Sequence, residues 1–228
     1  PNLGPERLYS VELEHTHEFS PLVTGSAAVF GNYFTNLVTA RGAAQEDDLL
    51  HYTNSDVPLS SIGAELTLRR DLREGVLLSA SYGIIQARYL ADRGVRALLR
   101  FERNTNFRRV ENVPGHLASM KGVVPLFGRT MRLASRLNFE TGRYDRFERV
   151  DDAEPQSKTD AVFLWDVVLT GRNDPLGIDW ALGLYNAFDS RYALPVSAEF
   201  RQRTVQQRGR TLLLSIELGP VPDLLVSP

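Results

Sequence analysis

The sequence predicts an all-β protein: an antiparallel transmembrane β-sheet of about nine strands, part of a larger β-barrel and incomplete as given. Two observations predict it. Segments of about 10 to 14 residues alternate apolar and polar side chains with period two, the pattern of strands with one oily and one wet face. Their connections alternate as well, with short turns at 20–21, 71–75, 127–128 and 171–176 and long polar loops at 36–60, 89–113, 143–159 and 189–207. Tight turns at one rim and large loops at the other are the connection pattern of an outer-membrane barrel.

The first segment sets Tyr9, Val11 and Leu13 against Ser10, Glu12 and Glu14. The second, 22–34, is strand-like with no clear parity. In the third, Ile62, Ala64, Leu66 and Leu68 oppose Gly63, Glu65, Thr67 and Arg69. Val76, Leu78, Ala80, Tyr82 and Ile84 then alternate with Leu77, Ser79, Ser81 and Gly83, and 115–126 is the weakest strand. Met131, Leu133, Ser135, Leu137 and Phe139 oppose Arg132, Ala134, Arg136, Asn138 and Glu140. Ala161, Phe163, Trp165, Val167 and Leu169 form the next apolar row, followed by Ile178, Trp180, Leu182 and Leu184 against Asp179, Ala181, Gly183 and Tyr185. Leu212, Leu214, Ile216 and Leu218 close the series against Leu213, Ser215 and Glu217. Segments this long exceed the average soluble strand of about 5 to 6 residues and are long enough to cross a bilayer at a tilt. Charges such as Arg132, Arg136 and Glu140 are tolerated if their face lines a wet lumen.

Composition bounds the function. No stretch of about 18 apolar residues occurs, so no helical span is expected, while a barrel wall dilutes its own hydropathy by alternation. The 228 residues contain no cysteine, which removes disulfides, thiolate zinc sites and thiol nucleophiles. Net charge is −2 with both signs balanced, giving no overall basic field for nucleic acid. The chain opens Pro-Asn-Leu-Gly-Pro without a leader, which an outer-membrane protein requires, so it reads as a piece of something longer. An odd number of strands points the same way, since bacterial single-chain barrels are even-numbered.

At this point the motifs resemble a family. Asn2-Leu3-Gly4-Pro5-Glu6 before a strand, the strand 25–38, Gly63-Ala64-Glu65-Leu66, the strand 78–88, and Gly183-Leu184-Tyr185-Asn186-Ala187-Phe188-Asp189 with Arg191-Tyr192 and Arg208-Gly209-Arg210-Thr211 are similar, in order and spacing, to TonB-dependent outer-membrane receptors. The resemblance covers nearly the whole chain. It implies the last nine strands of a 22-stranded barrel in the outer membrane of a Gram-negative bacterium. Residues 1–218 would be barrel and 219–228 an exposed tail. It further implies binding and import of a scarce ligand, such as an iron–siderophore or cobalamin, with an N-terminal plug and a TonB contact that lie outside this chain. Where family barrels finish on an aromatic residue, the last strand here ends at Leu218.

The densest basic and aromatic stretch runs over 100–109, and its Arg100, Arg103, Arg108 and Arg109 are the ligand-binding candidates on an outer loop. Guanidinium forks suit carboxylate, phosphate or an anionic siderophore complex, and equally the phosphates of lipopolysaccharide. Outer-membrane lipids and lipopolysaccharide are expected partners; nucleic acid is not. Trp165, Trp180, Tyr33, Tyr82, Tyr144 and Tyr185 are candidates for an aromatic girdle. His15-x-His17 reads as a polar strand end, and Glu46-Asp47-Asp48 as a solvated loop. No metal, cofactor or catalytic residue is expected: G-x-S-x-G, H-E-x-x-H and phosphate-loop motifs are absent. Competing readings are a barrel fragment without transport, a soluble β-sandwich, and an outer-membrane lipase or protease using His51 or His116.

Overall fold

Period-two alternation over nine segments resolves into nine hydrogen-bonded strands. The computed structural model describes residues 3–41, 51–72, 75–90, 109–127, 130–145, 157–197, 200 and 202–219. In chain order the strands are β1 (Arg7–Ser20), β2 (Val23–Thr35), β3 (Val38–Arg41), β4 (His51–Asn54), β5 (Leu59–Asp71), β6 (Leu77–Tyr89), β7 (His116–Leu126), β8 (Met131–Glu140), β9 (Val162–Asn173), β10 (Ile178–Tyr185), β11 (Ala193–Pro195), β12 (Thr204–Gln206) and β13 (Thr211–Leu218). The main sheet is antiparallel in the order β1-β2-β5-β6-β7-β8-β9-β10-β13, so each strand pairs with its sequence neighbour. Two small hairpins, β3-β4 and β11-β12, sit inside long connections and were not anticipated.

The register decides which residues share a face. Leu13, Val29, Ala64, Ile84 and His116 form one row, and Gly25, Leu68, Ala80, Met120, Leu137 and Trp165 another. Leu133, Leu169, Leu182 and Leu214 form a third on the same face. Every apolar row expected from sequence thus falls on the same side. The two unresolved segments fall into place as well. β2 presents Val29 and Tyr33 to the apolar side and Phe30 and Phe34 to the other, while β7 presents Ala118 and Met120 against Ser119 and Lys121.

The sheet is sheared. One row of paired residues runs Val23, Arg70, Leu78, Gly122, Ser135, Val167, Leu184, Leu212. It begins at the first residue of β2, beside a tight turn, and ends at the second residue of β13, beside a long loop. Across those strands the loop rim steps by roughly eleven residues of about 3.3 Å against spacings of about 4.8 Å, a slope of roughly 45°. Strands of a closed barrel tilt by about 35–45°.

The apolar face is not covered by protein. Leu66 is 56 %, Met120 59 % and Leu214 62 % exposed, and the buried hydrophobic residues among those described are Ala87, Leu90 and Val162. A soluble sandwich would bury that face under a second sheet, and among the described residues none lies on it. An apolar expanse of this size in contact with water is untenable for a soluble monomer. The sandwich reading is therefore set aside.

Details differ from expectation for local reasons. β9 continues through Gly171 to Asn173, and the turn is the 3-10 segment Asp174–Leu176 capped by Asn173 and Gly177. Gly171 lies opposite Trp180, and a β-carbon there would collide with the indole, so this glycine permits close packing and does not mark a turn. β10 and β13 have 8 residues each, shorter than the expected range, and β10 ends where Asn186 leaves the strand with φ 50°. Tyr185 lies on the polar face and Tyr144 in an outer loop, so neither belongs to the girdle. The girdle that does form follows the sloping loop rim on the apolar face: Tyr9 and Tyr33, then Tyr82 with His116, then Phe163, Trp165 and Phe188. Two of its polar tips are satisfied internally, Tyr82 Oη with His116 Nδ1 at 2.7 Å and Trp165 Nε1 to Ser135 Oγ at 2.9 Å.

Candidate functional site

The loop rim holds Arg109, one of the four expected ligand residues, and a polar network that the sequence did not announce. Arg109 is exposed and forms an isolated antiparallel bridge with Arg88, continuing β6 outward. Arg100, Arg103 and Arg108 lie outside the described residues, as does Glu46-Asp47-Asp48. Beside Arg109 the chain is tied down: Asn112 N–H donates to Tyr144 C=O at 2.9 Å. Arg143 donates from Nη1 to Asn112 Oδ1 at 2.9 Å and from Nη2 to Glu140 Oε2 at 2.6 Å. Arg143 thus bolts the β6–β7 connection to the end of β8. Lys158 Nζ sits 5.4 Å from the Tyr144 ring centroid, and Arg203 Nε lies 3.6 Å from the buried Asp145.

A pocket of about 520 Å³ opens between the end of the β8–β9 connection and the β11-β12 hairpin, with Asp145, Lys158, Asp160, Arg191, Tyr192 and Gln206 among its walls. Its size suits a small molecule and its walls carry both charge signs. Burial, then the nearby Glu140 carboxylate, pushes the Tyr192 phenol above its ordinary pKa. The hydroxyl stays protonated and available as a donor at neutral pH.

Two motif clusters prove to be clamps at the bases of these loops. Asn54 accepts from Gly4 N–H at 2.7 Å and donates to Gly4 C=O and Asn36 C=O at 2.9 and 2.8 Å. Asn36, at φ 61°, donates to Pro5 C=O, and Glu6 accepts from Val38 N–H at 2.6 Å. The Gly4-Pro5-Glu6 entry is thereby fastened to the base of the β3-β4 hairpin. At the other end Asn186 accepts from Ser190 N–H and donates to Ser190 C=O, each at 2.9 Å, while its own N–H reaches Asp166 Oδ1 at 3.0 Å. Asp189 accepts from Arg210 N–H at 2.8 Å, and a β-carbon at Gly209 would strike that carboxylate. These hydrogen bonds pinch together the two ends of the 186–210 connection. Asn and Asp tolerate left-handed backbone and bond locally, which is why they stand here.

On the polar face, rows of like chemistry cross the strands. Thr16, Ser26, Thr67, Ser81, Ser119 and Asn138 make one of hydroxyls and amides, with Ser119 Oγ and Asn138 Oδ1 2.9 Å apart. The next row toward the turns carries Glu18, Thr24, Arg69, Ser79, Lys121, Arg136 and Asp166. Arg69 is held bidentate by Asp71 and Arg136 by Asp166 at 3.0 Å.

His15 and His17 lie on the apolar face, ring centroids 6.2 Å apart, with Phe19 against His17. Glu14 and Glu18 point to the opposite face, so no carboxylate joins the imidazoles. Among the described residues no group of three or more His, Cys, Asp or Glu side chains is arranged to hold a metal ion. His116 is engaged by Tyr82, and of His51 only the backbone, in β4, is described.

No protein-family model matches the chain, and no curated protein matches it. Solved structures do. The chain is similar to the FrpB iron transporter of Neisseria meningitidis at 12 % identity and TM-score 0.68. It is similar to the ferric-catecholate import receptor Fiu of E. coli at 16 % and 0.67, and to the pyoverdine outer membrane receptor FpvA of Pseudomonas aeruginosa at 15 % and 0.68. Each match covers 94 % of this chain and 28–31 % of the other, so the chain spans under a third of the length of these structures. At such identities the likeness establishes the fold alone: an antiparallel sheet like part of the β-barrels of these proteins, the fold that the resemblance to TonB-dependent receptors implies.

Proposed function

We propose that the chain is the wall and part of the outer rim of a receptor that binds a scarce ligand, an iron–siderophore, cobalamin or similar, and imports it by TonB-dependent active transport. The observation that supports this best is the register, which collects the apolar rows on one side, the polar rows on the other and the long connections at one rim. Residues 1–218 would form the wall and 219–228 an exposed tail, and the plug that gates the lumen and contacts the TonB complex would be supplied from outside this chain. The apolar face and its girdle meet outer-membrane lipid. The role is binding and gated import, not catalysis. Arg100, Arg103, Arg108 and Arg109 contact an anionic ligand at the outer rim; the ligands of the similar structures, ferric catecholate and pyoverdine, suit such a group.

The test is uptake by cells carrying the whole receptor that contains this chain, with labelled ferric chelates and cobalamin as probes. Uptake that stops when the proton-motive force is collapsed supports the reading; uptake that is indifferent to it, or no uptake of any probe, leaves a barrel wall without this transport role. Replacing the four arginines by Gln should raise the half-saturating probe concentration about tenfold, the scale of one or two charge-assisted contacts. Unchanged saturation would remove them from the ligand site.

A further inference from the structure

We propose that the loop end of the apolar face seats one phosphorylated lipid of the outer leaflet, a lipopolysaccharide, with its phosphate on Arg88 and Lys158 and an acyl chain along Ile62, Ala64 and Ile84; the proposal rests on that face meeting the membrane. The register sorts the strand charges by sign. Every carboxylate of the nine strands stands on the polar face, Glu12, Glu14, Glu65, Glu140, Asp166 and Glu217 among them. The apolar face carries Arg7, Arg70 and Arg88 and no acid. Arg7 opens β1 at the loop rim, while Arg70 and Arg88 are each the last residue but one of their strands, at the turn rim and the loop rim. A guanidinium at such a depth reaches out of hydrocarbon to lipid phosphates, and a carboxylate there would be repelled by them. A face of one sign at its borders therefore fits anionic headgroups.

A hollow of about 550 Å³ turns this border into a specific seat at the loop rim. Of its walls, Ala64, Ile84 and His116 share one row of the apolar face, and the directly paired Ile62 and Gln86 form the next row toward the loops. Ile62 is three residues from the loop end of β5, roughly 7 Å below the rim at a tilt near 45°, and the girdle pair of Tyr82 and His116 lies beneath it. Arg109 and Lys158 also stand among the walls, and among the described residues no carboxylate does, whereas the pocket beside the β11-β12 hairpin has Asp145 and Asp160. Arg88 is directly opposed to Arg109, an arrangement that an anion between or beside them relieves. Lys158 is opposed to Tyr144, with its ammonium 5.4 Å from the ring centroid. Apolar walls below and cations above match a phosphate with its chain. Since Arg88 ends β6 and Lys158 belongs to the β8–β9 connection, one phosphate held by both would tie two long connections together.

The experiment is titration of the whole receptor, stripped of lipid in detergent, with lipid A, read by native mass spectrometry. One lipid A should bind at this seat, and Arg88→Gln combined with Lys158→Gln should weaken it about tenfold, the scale of a charge-assisted contact. Arg88→Lys combined with Lys158→Arg should keep the binding, and Ile84→Trp, which fills the hollow and leaves the cations in place, should weaken it. Heat-modifiable mobility reports that each variant is folded. Equal binding of dephosphorylated lipid A, unchanged binding in the Gln pair, or displacement by inorganic phosphate alone, which would give the seat to a soluble anion, overturns the proposal. Failure of the barrel reading is separately visible, because Met120→Cys on the same apolar face would then react with a water-soluble maleimide in intact outer membranes.

Discussion

Neighbouring residues on one strand offer the sharpest test of the two faces. Leu66 and Thr67 sit mid-strand in β5. Leu66 is paired with Ala27 and Tyr82 on the apolar side, Thr67 with Ser26 and Ser81 on the polar side. Leu66 lies seven residues from the loop end of β5 at Leu59. At about 3.3 Å per residue and a tilt near 45° that is roughly 16 Å below the loop rim, close to the midplane of a barrel's apolar band about 25 Å tall. An arginine facing lipid at that depth costs about 2–4 kcal/mol, and about 3 kcal/mol is a factor of ~150 in the folding equilibrium. The same arginine at 67 enters a hydrated, hydroxyl-lined surface and should stay within about 0.5 kcal/mol. Reversible urea unfolding of the whole receptor in phospholipid vesicles, followed by the heat-modifiable mobility of the folded band, measures both. Leu66→Arg should lower the midpoint strongly and Thr67→Arg hardly at all. Equal, small effects would mean that the apolar face meets water, and a larger loss at 67 would reverse the assignment of the faces.

The clamps and close contacts give further outcomes. Asn186→Ala removes a ring of hydrogen bonds around a left-handed residue and should destabilise by about 2–3 kcal/mol; Asp189→Ala, which strips the acceptor from Arg210 N–H, should cost about 1–2. Both should speed proteolytic nicking between 186 and 210 while leaving the apolar face protected. Asn54→Ala should free Gly4 from the β3-β4 hairpin, at about 1–3 kcal/mol, seen as faster cleavage before β1. Gly171→Val should displace the Trp180 indole and cost about 1–3 kcal/mol, with a shift in tryptophan emission. Tyr192 gives a pH dependence: burial and Glu140 raise its pKa in the folded rim, so its contribution is present below the ordinary value of about 10 and lost as pH rises through the raised one. Alkaline loosening of the 186–210 connection, measured by proteolysis, should be reduced in Tyr192→Phe.

What was legible in the sequence was periodicity, and what was not was set by neighbours. The contrast between Leu66 and Thr67, or Leu137 and Arg136, is enough to assign a face before any pairing is known. β2 resisted because aromatics stand on both of its faces, Tyr33 on one and Phe30 and Phe34 on the other; only the pairing of Val29 with Leu13 and Ala64 decides it. β7 resisted because Lys121, Gly122 and Pro125 blur its pattern, and its apolar face is fixed by Ala80 and Leu137 on either side of Met120. Gly171 read as a turn because glycine usually punctuates; here it yields space to Trp180. The short hairpins are too brief to carry a period. The arginine-rich stretch was visible as chemistry, yet only Arg109 falls on described backbone, and the bond from Arg143 to Asn112 joins residues about thirty apart that no local signal connects.

Closure of the sheet is constrained by direction as well as by count. β1 runs from the loop rim at Arg7 to the tight turn at Ser20, and β13 runs from Thr211 at the loop rim to Leu218, where Gly219 N–H meets Gly177 C=O of the last tight turn at 2.7 Å. The two edge strands therefore point the same way. They cannot close on each other as an antiparallel pair, nor can a second copy with its loops on the same side of the membrane close them. In lipid an open edge leaves backbone donors and acceptors unpaired at several kcal/mol each, so both edges must be covered. An antiparallel closure requires an odd number of strands between β13 and β1, whichever polypeptide supplies them. The 22-stranded barrel that the resemblance implies would leave thirteen strands beyond these nine, an odd number, so the parallel edges agree with that reading.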